Sequence, residues 1–282
     1  MREFHVLSLG AGVQSTALYL MFLRGDLKLP PIDYAIFADT LSEPHGVYRH
    51  LEWLKALHGP PILVRSKGNL KEHLLNGQNS TGGRFASIPA YTLKPDGTEG
   101  KVRRQCSKEY KIDVINRAIR RDICKTAPGR SPKGIIVHQY IGISLDEAGR
   151  AERIRRAPRP KYLKVHFPLI DNFMTRANCL SYLADKVPHE TPRSACTFCP
   201  FHNDFEWDRQ KREDPEAWAE SVALDHALRV PGNVFNRNLD QQLFLHRSCV
   251  PLDLVQLDTR PDPRKAQLAM NFAAECMGVC GV

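Results

Sequence analysis

His5-Val6-Leu7-Ser8-Leu9-Gly10-Ala11-Gly12-Val13-Gln14-Ser15-Thr16 is the stretch whose reading decides the fold. The apolar pair Val6-Leu7 predicts a buried strand that breaks into small residues. Thr16-Ala17-Leu18-Tyr19-Leu20-Met21-Phe22-Leu23 then predicts a helix, which Gly25 and Asp26 close. Strand, glycine turn and helix N-terminus together make an anion site. Glycine lets the backbone come close to a ligand, first-turn N–H groups lack helical partners, and the helix dipole favours negative charge. Ser15 and Thr16 add hydroxyl donors, so a phosphate or pyrophosphate is the inferred ligand. A P-loop would need Gly-Lys-Ser/Thr at the helix start, and no lysine stands there. A dinucleotide fingerprint matches Gly10 and Gly12 but meets Ser15 in place of its third glycine. Asp39 ends the next apolar run, Tyr34–Ala38, where a ribose-binding acid would sit, so that reading stays a competitor. A glycine turn with no ligand is the plainest alternative.

Outward from this stretch the types alternate. Strand Val6–Ser8, helix Ser15–Arg24, strand Tyr34–Ala38, helix His45–His58 and strand Ile62–Val64 predict a βαβαβ half of a parallel sheet. Val47, Leu51, Leu54 and Leu57 give the second helix one apolar face, after Ser42 and Pro44 as start signals. Asn69–Arg104 is polar and glycine-rich, which predicts either a mobile loop over a site or a linker. Ser107–Arg121 returns to helical spacing, and Thr126–Gly134 predicts a loop. Ile135–Ser144 and Val165–Ile170 predict further strands, and Thr175–Ala184 a helix. The expected fold is α/β: a Rossmann-like parallel sheet flanked by helices over residues 1–190. A cysteine-bearing extension follows over 191–282, with a charged helical stretch from Phe205 to Arg229.

The composition bounds the partners. Charged residues at 25% and hydrophobic residues at 42% suit a globular chain, and 282 residues allow a substantial core. No apolar run reaches membrane-helix length and the N-terminus has no signal-peptide pattern, so the expected location is the cytoplasm, with no membrane partner. The net charge of +9 favours a polyanion, either nucleotide or nucleic acid.

In a reducing compartment, eight cysteines read as ligands or reactive thiols rather than disulfides. Cys196-x-x-Cys199 is the sharpest metal signal, since two thiolates at that spacing chelate one iron or zinc. Two donors leave such a site incomplete, and Cys106, Cys276 and Cys280 are the candidates for the remainder. A redox pair or ordinary core thiols are the alternatives. Cys106 follows Arg103-Arg104-Gln105 and precedes Lys108 and Lys111 at a helix start, surroundings that favour a thiolate. Cys124, Cys179 and Cys249 lie in helical or apolar contexts and are expected to be buried and inert.

Gly10-Ala11-Gly12-Val13-Gln14-Ser15 resembles the Ser-Gly-Gly-x-Asp-Ser loop of the PP-loop ATP pyrophosphatases, and more closely its variant in the phosphoadenylyl-sulfate (PAPS) reductase family. Gln14 stands where the loop's aspartate would be. Asp39-Thr40-Leu41-Ser42-Glu43-Pro44 resembles that family's Asp-Thr-Gly-x-x-x-Pro-Glu-Thr segment, with Leu41 in place of glycine. Arg104–Ile112 is similar to its Cys-Cys-x-x-x-Lys-Val segment, keeping only the second cysteine, Cys106. Phe167-Pro168-Leu169-Ile170-Asp171 resembles its Pro-Leu-x-Asp-Trp, with Asn172 replacing tryptophan. Cys196 and Cys199 fall at the second cysteine pair of cluster-bearing members, and Glu275-Cys276 resembles their Glu-Cys-Gly tail.

The resemblance implies an adenine-nucleotide α-hydrolase-like domain holding ATP or a PAPS-like nucleotide with Mg²⁺. Its phosphates would lie on Ser8 and Gly10–Thr16, with the adenosine against Ala38 and Asp39. Arg103, Arg104, Lys108 and Arg150 would neutralise phosphate charge. Ser15, Asp39, Arg104 and Lys108 would serve turnover, and Cys276 matches the family's nucleophile. Cys106, Cys196 and Cys199, with Cys280, would hold an iron–sulfur cluster such as [4Fe–4S], or zinc. Attack at the α-phosphate would release pyrophosphate, coupled to sulfur transfer onto an acceptor such as a nucleic acid or nucleoprotein. The rival expectations are a true sulfonucleotide reductase, a non-catalytic nucleotide- or nucleic-acid-binding accessory protein, and an NAD-dependent oxidoreductase.

Overall fold

A computed structural model of the chain describes residues 1–76, 88–102, 105–230 and 241–259. In chain order the elements are β1 (Arg2–Ser8), α1 (Val13–Arg24), β2 (Tyr34–Asp39), α2 (His45–Ala56), β3 (Ile62–Ser66) and α3 (Leu70–Leu75). There follow β4 (Ala90–Leu93), β5 (Glu99–Val102), α4 (Asp113–Ala118), β6 (Ile135–Ile141), α5 (Ala148–Arg156) and β7 (Leu163–His166). The remainder is α6 (Pro168–Asp171), α7 (Arg176–Leu183), α8 (Asp204–Glu213), α9 (Pro215–Ala227) and β8 (Gln242–Phe244).

Five strands form one parallel sheet in the order β3-β2-β1-β6-β7. Alternate residues of β1 supply its two faces. Leu7 packs with α1, α2 and α7, whereas Phe4 and Val6 pack with Val114, Ile115 and Ala118 of α4 on the opposite side. Helix α1 is buried continuously from Val13 to Phe22, as expected of a helix that is apolar nearly all round. It ends at Gly25, whose left-handed backbone (φ 72°) lets its N–H reach the Met21 and Phe22 carbonyls. The strand order reverses at β1, with β2 on one flank and β6 on the other. In an open parallel sheet such a switch point leaves a crevice at the carboxyl ends of the strands. Gly10–Ser15 sits there.

The polar stretch 69–104 is more ordered than a loop where it is described. Asn69 caps α3, its side-chain oxygen accepting from the Lys71 and Glu72 amides. Residues 90–102 form a hairpin turned by Pro95-Asp96-Gly97, where Gly97 has φ +82°. The expected strand Val165–Ile170 also ends early, because Pro168 starts α6, where its fixed φ and missing N–H suit the first helical position. The stretch 205–229 divides into two helices at Asp214-Pro215, with Asp214 capping Ala217. Strand β8 pairs with β4, so residues on both sides of position 190 share one three-stranded antiparallel sheet. Around it a second core gathers Trp207, Phe198, Tyr110 and Leu245. No helix among the described residues is long and apolar enough to cross a membrane.

Candidate phosphate-binding site

The turn between β1 and α1 is tight. Ala11 takes a left-handed backbone (φ 55°), and the Ser15 hydroxyl accepts from the amides of Gly10 and Gly12, each at 3.2 Å. That hydroxyl also donates to the Gly12 carbonyl at 3.1 Å, fixing the first turn of α1. A small cavity of about 30 Å³ opens here, with Ser8, Gly10, Gly12 and Val13–Ser15 on one side. Gly142, Arg176, Arg193 and Ser194 close the other. A Cβ on Gly142 would lie 2.8 Å from the Ser15 amide nitrogen and 2.9 Å from its Cα, so only glycine lets the end of β6 come this close. Ser8 is held by Gln139, whose Nε2 donates to Ser8 Oγ at 2.8 Å. Thr16 faces away from the cavity. It is buried, and its Oγ1 bonds His50 Nε2 at 2.9 Å. His50 in turn meets His189 at 2.8 Å, and burial pushes the His50 pKa down to about 4, so its ring is neutral at pH 7.

Gln14 is spanned by opposite charges. Its Oε1 accepts from Arg176 Nη1 at 3.0 Å, while its Nε2 points at Glu147 Oε2 (3.4 Å) and Ser144 Oγ (3.5 Å). Glu147 is ion-paired with the buried Arg150 at 2.7 Å. Arg150 therefore reaches the loop through Glu147 and Gln14. Arg176, which lines the cavity directly, carried no signal in the sequence.

A second cluster stands at the end of β2. Asp39 Oδ1 accepts from the Leu41 amide at 2.7 Å and from the Tyr48 hydroxyl at 2.9 Å. Its Oδ2 has no hydrogen-bond partner among the described residues. Leu41 adopts a left-handed backbone (φ 54°) at the position where the resembled family carries glycine. Ala38 packs its methyl into the core on the α4 side. Beyond it, Glu43 is buried and paired with Lys111 at 3.1 Å, and Thr40 Oγ1 lies 3.2 Å from Glu43 and 3.3 Å from Cys196 Sγ. Burial, reinforced by the Glu43 carboxylate, pushes the Cys196 thiol well above its ordinary pKa. Lys111 is the buried lysine of this segment. Lys108 is largely exposed and lies 3.4 Å from Asp113.

Cys106 and Cys196 both pack against the second core, and the Cys199 amide bonds the Cys196 carbonyl across a tight turn. Among the described residues no three His, Cys, Asp or Glu side chains are arranged to hold a metal ion. Cys124, Cys179 and Cys249 are buried. Arg103, Arg104, Cys276 and Cys280 lie outside the described residues. A larger cavity, about 750 Å³, lies beside the cavity at the Gly10–Ser15 turn and shares Arg193 with it. No protein-family model matches the chain, and no curated protein matches it either.

Proposed function

We propose that this chain is a PP-loop enzyme of the PAPS reductase-like kind, an adenine-nucleotide α-phosphate hydrolase or transferase that binds ATP or a related nucleotide and releases pyrophosphate. The observation that carries the reading is the placement of Gly10–Ser15. This glycine-limited turn lies at the sheet's switch point, against the N-terminus of a buried helix, with Arg176 on its open side. Such a cradle offers backbone donors, a helix dipole and a fixed cation to the charge a leaving pyrophosphate gains.

Asp39 would hold Mg²⁺ or ribose through Oδ2, since Oδ1 is engaged by Leu41 and Tyr48. Mg²⁺ would neutralise phosphate charge when bound. A cluster or zinc on Cys106, Cys196 and Cys199, joined by Cys280, belongs to the same proposal, although the first three are not arranged as a metal site among the described residues. The decisive experiment is pyrophosphate release from ATP and Mg²⁺ by the parent and by Gly12→Val. Release by the parent, lost in a variant that still melts as the parent does, supports the reading; parent-like ATP affinity in the variant refutes it. Sulfite release from PAPS would select the reductase alternative.

A further inference from the structure

The segment 191–195, between α7 and α8, lies directly over the phosphate loop. A Cβ on Gly10 would stand 3.2 Å from Ser194 Oγ. One on Gly12 would stand 3.1 Å from Ser194 Cβ and 3.3 Å from its backbone nitrogen. A side chain at either glycine would thus press on this strap. The Ser194 hydroxyl is buried and has no hydrogen-bond partner among the described residues, although it borders the cavity at the Gly10–Ser15 turn. A buried hydroxyl left unbonded is costly, and native structures seldom keep one without a partner of some kind. Arg193 lines the same cavity with a side chain only 8% exposed, anchored from behind by an ion pair with Glu206 of α8.

We propose that Ser194 and Arg193 are phosphate-binding residues, closing from the segment between α7 and α8 onto the group that Gly10–Ser15 holds. The inference rests on the phosphate-loop reading and adds to it the two residues that complete the site. Ser194 Oγ donates to a phosphate oxygen, and the Arg193 guanidinium, held by Glu206, donates a second hydrogen bond from the side of the cavity that Arg176 also lines. Before this can happen the strap has to withdraw. The cavity's 30 Å³ holds about two waters, less than a phosphate group with its four oxygens needs. The 750 Å³ cavity shares Arg193 and is bordered by Pro192 and Ala195, so the strap has room beside it into which to move.

The test is calorimetric titration of inorganic pyrophosphate into the parent, Ser194→Ala and Gly12→Val, with the melting temperature of each. The expected result is parent binding, loss in Gly12→Val, and about tenfold weaker binding in Ser194→Ala at unchanged melting temperature, the effect of one lost hydrogen bond to a charged group. Ser194→Ala that binds as the parent does overturns the proposal, and tighter binding shows the strap to be a plug instead. Parent protein that fails to bind, or Gly12→Val that binds normally, removes the phosphate-loop reading itself. Amide hydrogen exchange of residues 193–195 gives a second readout that needs no variant. Pyrophosphate slows it if the strap clamps the anion; unchanged or faster exchange refutes the clamp.

Discussion

Gly142→Ala is the sharpest perturbation of the site that leaves every polar group in place. The added methyl would meet the Ser15 nitrogen at 2.8 Å, Ser15 Cα at 2.9 Å and the Gln14 carbonyl carbon at 3.0 Å, all backbone atoms. Ordinary contact begins at 3.4 Å, so the two segments must part by roughly half an ångström. Helix α1 has little freedom to yield, being buried from Val13 to Phe22. The end of β6 has little more, because Ile141 is in register with Ser8 of β1. Overpacking of this kind costs about 1–3 kcal/mol. In a chain of this length that lowers the melting temperature by about 2–4 °C per kcal/mol. The displaced atoms are the cradle itself, so pyrophosphate affinity should fall by about tenfold or more. Gly149→Ala is the control. It lies in α5 with nothing within 4 Å of the added Cβ, and should stabilise by about 0.5–1 kcal/mol. Thermal melting and calorimetry read both variants. Gly142→Ala that melts and binds as the parent does would refute the close approach of β6 to the loop.

Two further outcomes follow from the charges. Lys111→Met leaves the buried Glu43 carboxylate without its cation and should cost about 3–5 kcal/mol, whereas Lys108→Met, at an exposed pair, should change stability by less than about 1 kcal/mol. Equal effects in urea melts would contradict the burial of the Glu43–Lys111 pair. His50, pushed down to about 4, stays neutral in the fold while the unfolded chain takes up a proton below about 6.5. Stability from this group is therefore full above pH 6.5 and falls as the pH drops toward 4, by at most about 3 kcal/mol. His50→Gln should flatten that part of the stability–pH curve, and an unchanged curve would show that the ring is not held neutral by burial.

The first sixty-six residues were legible because their signals are local. Short apolar runs and helical spacing point to β1 through β3 with their two helices, and the glycine pair to the loop. Legibility failed where partners are distant in the chain. Arg176, Arg193, Ser194 and Gly142 lie more than 120 residues beyond the loop they border, and nothing in their neighbours' spacing points back to it. Lys108 and Lys111 were equivalent as letters. Only the packing of their segment against β2 separates a solvated ammonium from one buried against Glu43. The hairpin at 90–102 carries little strand signal of its own for a related reason. Much of it is polar and exposed, and its stability comes from pairing with β8, some 150 residues later.

The neutral Gln14 makes sense only with these distant groups in view. Its amide oxygen takes a hydrogen bond from Arg176 while its NH₂ faces Glu147, so one side chain bridges a cation and an anion in the orientation each requires. A carboxylate there could still receive Arg176, but it would set a second negative charge against Glu147 within a few ångströms, in partly buried surroundings where repulsion is poorly screened. Glu147 is in turn matched by Arg150, and Arg193 by Glu206. Arg176 lines the cavity beside the partial positive charge at the start of α1. A triphosphate brings several negative charges together, which is the electrostatic reason for placing a divalent cation near Asp39 in the proposed function.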